Sequence, residues 1–298
     1  MKITYGIASD SIDVTDICLS TLIINDIITI PCGDCNRSDI FTDPLDGIHK
    51  KIFILIGDAL TEYDEYCAIK INTLNNLITT TIPKACNIIN TTLQNIHASL
   101  QFKHGILYDE VPEQKMVVRY LTGSEKVLEI GGNIGRNSLV IASILKNQTN
   151  LVTLECDADI AILLTENRTL NNFKFYIESS ALSNRKLIQR GWETKPSDTL
   201  EEGFKWVNTI TLDKLKTKYN IAFDTLVLDC EGAFYYILMD TPEILDNITL
   251  IIMENDYWDI SHKNYIDEIL KKNNFARDYV ERGGWGPCEC KFYEVWIK

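Results

Sequence analysis

The chain has 298 residues, enough for one large or two small domains, and its 45% apolar and 24% charged content is that of an ordinary globular protein. A net charge of −13 with no basic stripe speaks against a surface that tracks RNA or DNA phosphates. The four histidines include no H-x-x-x-H pair, so no histidine-built metal site is expected.

The first residues, MKITYGIASDS, form no apolar leader, and no run approaches the 18 apolar residues of a membrane span. The reading is an intracellular, cytoplasmic protein. Residues 1–78 then look β-rich. Short β-like runs at 22–30, 51–56 and 66–71 alternate with turn-forming stretches at 31–36 and 42–47. The segment GDCNRSDIFTDPLDG, followed by KKIFIL, is similar to accessory modules found beside glycan-modifying enzymes; an N-terminal extension packed on an enzyme is the other reading. The nine cysteines read as buried, reduced thiols, and the pairs Cys32/Cys35 and Cys288/Cys290 have poor spacing for zinc. The abundance of Ile, Asn and Thr points to a viral or AT-rich genome.

Residues 79–106 read as linker and connecting helix, with apolar Ile89, Leu93, Ile96 and Leu100 at helical spacing. Pro112 opens a helix through Leu121, with Glu110 and Glu113 near its N-terminus, where acids favour the dipole. Strands and helices alternate after that. Strands are expected at 126–130, 151–155 and 173–178, with helices to residue 146 and over 158–171. A strand at 223–229, a helix from Gly232 and a strand at 248–254 follow. The chain closes with a helix over 261–272 and strands at 275–280 and 291–297 around the GGWGPC loop. Such alternation means a mostly parallel sheet covered on both faces.

The motif that carries chemistry is VLEIGGNIGRNSL at 127–139. A buried strand runs into Glu129, Gly131, Gly132 and Gly135 and then into a helix, the form of a nucleotide or nucleoside cradle. A P-loop would need Gly-Lys-Ser/Thr where Gly135-Arg136-Asn137 stands, and Asn133 occupies the second glycine of G-x-G-x-x-G. E-x-G-x-x-x-G remains, the loop of Rossmann-like S-adenosylmethionine sites. Glu155 ends the next strand about 20 residues on, placed to hydrogen-bond both ribose hydroxyls. FDTLVLDCEG at 223–232 adds Asp229 and Glu231 at a third strand tip, where Asp229 is either a catalytic or cofactor group or the cap of the next helix.

Together GGNIGRNS, ALSN at 181–184, TLDKL at 211–215 and DCEGA at 229–233 resemble the FkbM family of S-adenosylmethionine-dependent O-methyltransferases over residues 107–298. Glu129 and Gly132 replace the family's usual Asp and Ala, and Phe234 stands close to where its second box Glu is absent. The resemblance implies a class I Rossmann-like α/β fold with seven strands, the last antiparallel, S-adenosylmethionine as cofactor, and a sugar hydroxyl of a glycan or glycan precursor as acceptor. A small-molecule or RNA methyltransferase, or a non-catalytic scaffold with this fold, is the alternative. Expected cofactor residues are Glu129, Gly131, Asn133, Gly135, Asn137, Glu155, Cys156, Ala181 and Asp229. Expected catalytic residues are Asp229, Glu231 and His262, and expected acceptor residues Glu254, Tyr257 and Trp258. No metal, nucleic acid or membrane span is expected. The oligomeric state is left open.

Overall fold

The computed structural model describes residues 1–298 apart from Asp46, Gly47, His49, Tyr66, Ile82, Pro83 and Trp192; for Cys35 and residues 84–86 it describes the backbone only. The chain divides into two compact units, Met1–Asn90 and Thr91–Lys298. The division falls inside the helix Lys84–Ser99, and the strand Leu77–Thr81 crosses residue 78, where the first module was expected to end.

The first unit holds two antiparallel four-stranded sheets. One is ordered Asp10–Asp13, Lys2–Ile7, Lys51–Ile56, Ala59–Tyr63; the other Ile23–Ile24, Ile27–Ile30, Ala68–Asn72, Leu77–Thr81. The expected single run at 22–30 is a hairpin. Asn25 and Asp26 both take positive φ (48° and 60°), as a two-residue turn between Ile24 and Ile27 requires. The expected turn at 31–36 gives way to the helix Asp34–Phe41. That helix is tied down by buried charge. Lys50 Nζ meets Asp34 Oδ2 at 3.0 Å and Asp43 Oδ1 at 2.9 Å, and Arg37 donates to the Pro31 and Cys67 carbonyls. Thus the segment GDCNRSDIFTDPLDG supplies a polar anchor under the Ile-rich core of Ile3, Ile28, Ile30, Ile52, Ile54, Ile69 and Ile71. Gly47 and Tyr66, at the ends of two expected stretches, lie outside the described residues.

The second unit is built on a seven-stranded sheet. Its strands are β1 (Val127–Ile130), β2 (Leu151–Leu154), β3 (Tyr176–Glu178), β4 (Thr225–Leu228), β5 (Leu250–Glu254), β6 (Ala276–Glu281) and β7 (Tyr293–Ile297). They are ordered β3-β2-β1-β4-β5-β7-β6, with β7 running antiparallel to the other six. β1, β2 and β4 are buried at every position, as a parallel sheet with both faces covered demands. Their alternate residues serve two cores. Leu128, Val152, Leu226 and Ile251 pack with α4 (Leu212–Tyr219), α5 (Ala233–Asp240) and α6 (Ile260–Lys272). Val127, Leu151, Val227 and Ile252 pack with α1 (Val111–Tyr120), α2 (Arg136–Ile144) and α3 (Ala158–Leu170). This is the expected Rossmann-like arrangement.

β7 enters between β5 and β6 and is locked there. Glu294, fully buried, accepts from Lys263 at 2.8 Å, Arg277 at 2.9 Å and Trp296 Nε1 at 3.0 Å. Between β3 and α4 lies an insert that periodicity did not reveal: strands Leu187–Arg190, Glu193–Pro196 and Lys205–Val207 form a small antiparallel sheet. Among the described residues no helix is long and apolar enough to cross a membrane.

Candidate functional site

The glycine loop brings three strand ends together. Gly131 takes φ +93°, and a Cβ there would lie 1.5 Å from the Asp229 carbonyl oxygen, so only glycine lets β1 and β4 close up at this point. The N–H groups of Gly131 and Gly132 both donate to the Leu154 carbonyl, at 3.0 and 2.9 Å, which pins the loop to the end of β2. Asn133, also at positive φ, donates its N–H to Glu155 Oε2 at 2.8 Å, while Asp157 N–H donates to Oε1 at 2.8 Å. Two backbone donors therefore fix the Glu155 carboxylate and leave each oxygen a further lone pair. Burial pushes its pKa up against the pull of those donors.

Beyond the loop opens a cavity of about 510 Å³, within the range of cofactor sites. Of the expected residues it gathers Gly131, Asn133, Glu155, Cys156, Ala181, Asp229 and Glu231. The others lie off its wall. Glu129 is sealed beneath the loop, where Ser138 Oγ and Thr153 Oγ1 both donate to its Oε2, at 2.5 and 2.7 Å, and burial raises its pKa to about 7. It joins α2 and β2 to β1 rather than facing a ligand. Gly135 starts α2 in the left-handed region, and Asn137 is buried on that helix.

Three aromatic positions also differ from expectation. His262 stacks face to face on Tyr235, with ring centroids 3.8 Å apart at 8°, and does not border the cavity. Its ring is committed to α5 packing, so the structure gives no support to a base there. Tyr257 is 2% exposed and packs beneath Gly232. Trp258 is 83% exposed and leans on Trp285, ring centroids 4.2 Å apart.

Asp229 is not a helix cap either. α5 begins at Gly232 with no side-chain cap, and the Gly232 N–H instead donates to Asp256 Oδ1 at 3.0 Å. Asp229 stands in a group of carboxyls that also contains Glu110, Glu113, Glu231, Glu254 and Asp256. Arg136 reaches the group, bonding Glu110 at 2.9 Å. Burial, and then the surrounding negative charge, raise Asp229 well above the ordinary carboxylate range and raise Glu254 likewise. Glu110 is pushed up to about 7 by burial despite Arg136. Glu113 contacts Glu254, and Asp256 contacts Glu231; a pair of acids at such range is held by one shared proton. Among the described residues no three His, Cys, Asp or Glu side chains are arranged to hold a metal ion.

Sequence reading missed Glu113, Asp256 and Gln189. Glu113 read as a helix-start acid, Asp256 was not singled out, and Gln189 lies in the insert.

The strand order, the antiparallel last strand and the glycine loop at the end of β1 define a Rossmann-like, class I methyltransferase fold. No family model and no curated protein matches the chain. Among solved structures it is similar to a putative O-methyltransferase from Klebsiella pneumoniae, at 17% identity over 70% of this chain and 89% of that one, TM-score 0.40. It is similar to an O-methyltransferase from Bacillus cereus in complex with SAH, at 16% identity over 71% and 91%, TM-score 0.41. A putative tRNA (m1A22) methyltransferase of Streptococcus pneumoniae in complex with S-adenosyl-L-methionine matches at 13% identity over 62% and 71%, TM-score 0.40.

Proposed function

We propose that this chain is an S-adenosylmethionine-dependent O-methyltransferase of FkbM type, acting on a sugar hydroxyl of a glycan or glycan precursor. One observation carries the reading: the Asn133 N–H holds Glu155 in the wall of a cavity that Asp229 and Glu231 also line. A loop that positions an acid through its own backbone is a pre-organised nucleoside site. The residues present fit the cofactor. Glu155 would accept the ribose hydroxyls, the backbone of 131–135 would border the amino-acid arm, Cys156 and Ala181 would flank the base, and Glu231 would meet the ammonium. The cofactor supplies a methyl group already activated on a sulfonium.

What remains for the protein is to align the acceptor oxygen and take its proton. Asp229 is the proposed base. The cluster of acids around it favours a cation in the cavity, and a cation returns Asp229 to its ionised, proton-accepting form. Asp256, beside Glu231, supplies an acid near the box where Phe234 does not. The acceptor class rests on the FkbM resemblance. The net charge of −13 argues against RNA.

Calorimetry with S-adenosylmethionine tests the cofactor. Glu155→Ala removes two charge-assisted hydrogen bonds, each worth about 1.5–3 kcal/mol. Wild-type affinity in that variant would overturn the assignment. Mass spectrometry of candidate glycans incubated with labelled cofactor tests the acceptor.

A further inference from the structure

We infer that Gln189, on the insert strand Leu187–Arg190, reads the adenine ring of the bound nucleoside. The inference rests on the proposed cofactor and concerns a residue that the nucleoside motifs do not contain. Gln189 borders the cavity, is 5% exposed, and its Oε1 has no hydrogen-bond partner among the described residues. Its Nε2 meets the Cys156 sulfur at 3.6 Å, a weak acceptor that is readily exchanged. Burial pushes the Cys156 thiol up to about 11, so that sulfur is neutral.

A buried amide oxygen with no partner is unfavourable by about 1–3 kcal/mol, and cavities usually satisfy such groups with a ligand or water. The other polar side chains near this end are engaged. Asp157 caps α3 and pairs with Lys205 at 2.7 Å, and Asn184 bonds Thr241 and the Asp240 carbonyl. Arg185 is held bidentately by Asp240. Glu178, at the tip of β3, is taken by Lys218 and Tyr219 at 2.6 and 2.8 Å.

Position selects the base rather than the sugar. Gln189 touches Cys156, the residue directly after Glu155, so a nucleoside whose ribose sits on Glu155 turns its base towards the insert. A carboxamide matches the edge of adenine: Oε1 accepts from the 6-amino group while Nε2 donates to a neighbouring ring nitrogen. If the amide is turned over, the same two polar ends still face that edge.

The test compares S-adenosylhomocysteine with S-inosylhomocysteine, whose 6-amino group is replaced by a carbonyl, by calorimetry on the full chain. Wild-type protein should favour the adenosyl compound by roughly 5- to 150-fold, the range of one bidentate amide–base pair. Gln189→Met, which keeps the side-chain volume and the strand's backbone pairing, should erase most of that preference by weakening the adenosyl compound. Gln189→Glu, a second variant should the first misfold, should lose affinity for the adenosyl compound because it has no donor for the ring nitrogen. Equal binding of the two compounds by wild type, or an unchanged ratio in folded variants, would overturn the role of Gln189. No binding of S-adenosylhomocysteine by wild type would instead overturn the cofactor reading.

Discussion

Asp229 and Glu129 are both buried acids with raised pKa, yet they have opposite surroundings. Glu129 accepts two hydroxyl donors; Asp229 faces other carboxyls. If Asp229 takes the acceptor's proton, Asp229→Asn should keep the site's shape and cofactor affinity but lower turnover by roughly 10²–10⁴-fold. Steady-state kinetics together with calorimetry on that variant checks both halves; a large rise in cofactor Kd with near-normal turnover would make Asp229 a cofactor ligand. Glu129 gives a stability test. Its folded pKa, about 7, lies above its ordinary value of 4.5, so the folded state binds more protons than the unfolded one between those pH values. Its contribution is therefore full below pH 4.5 and is lost as pH rises through 7, by roughly 3 kcal/mol at most. Glu129→Gln keeps an acceptor for Ser138 and Thr153 and has no charge to desolvate. Denaturant unfolding from pH 5 to 8 should show a flatter profile in the variant than in wild type. An equal slope in both would mean that Glu129 keeps an ordinary pKa when folded.

At the scale of elements, the glycine-loop part of the candidate site was legible and its surroundings were not. β1 and the glycine loop are a contiguous motif, and Glu155 follows at a fixed distance, so strand pattern and glycine placement suffice. The carboxyl group is different. Glu113 sits at the start of α1, where a sequence reading gives an acid a solvated, dipole-favoured role, but α1 packs on β5 and buries it. The insert escaped because its strands are three or four residues long, too short for any period to register. Within the loop, the closeness of β1 to β4 makes a sharp contrast. Gly131→Ala must displace the Asp229 carbonyl and should abolish cofactor binding, with a stability loss of at least about 3 kcal/mol. Gly191→Ala meets only open space at φ +57° and should lose about 1 kcal/mol. Thermal unfolding of the pair checks the difference, and similar losses would show that the backbone at Gly131 yields freely.

For the whole molecule, every residue bordering the cavity belongs to the second unit. A fragment that begins before the helix Lys84–Ser99 and runs through Lys298 is expected to bind S-adenosylhomocysteine within about threefold of the full chain. Loss of that binding in a folded fragment would give residues 1–83 a part in the site. The first unit's strands were only half visible in sequence, since those among the described residues are two to six residues long, too short for a period to register. Its segment at 33–47 read as similar to accessory modules beside glycan-modifying enzymes; within it Asp34 and Arg37 are buried, as is Lys50 just after it.

The placement of β7 has a consequence for how this protein is made. β5 and β6 are separated in the finished sheet by a strand that follows both of them in the chain. Until residues 293–297 emerge, β5 is an open edge and β6 has no strand to pair with, so the growing chain carries an unfinished sheet. Placing Trp296 in the core and Glu294 between Lys263 and Arg277 then closes that sheet. Chains that stop before residue 293 would present the β5 edge to one another, which makes β7 a quality checkpoint for the fold.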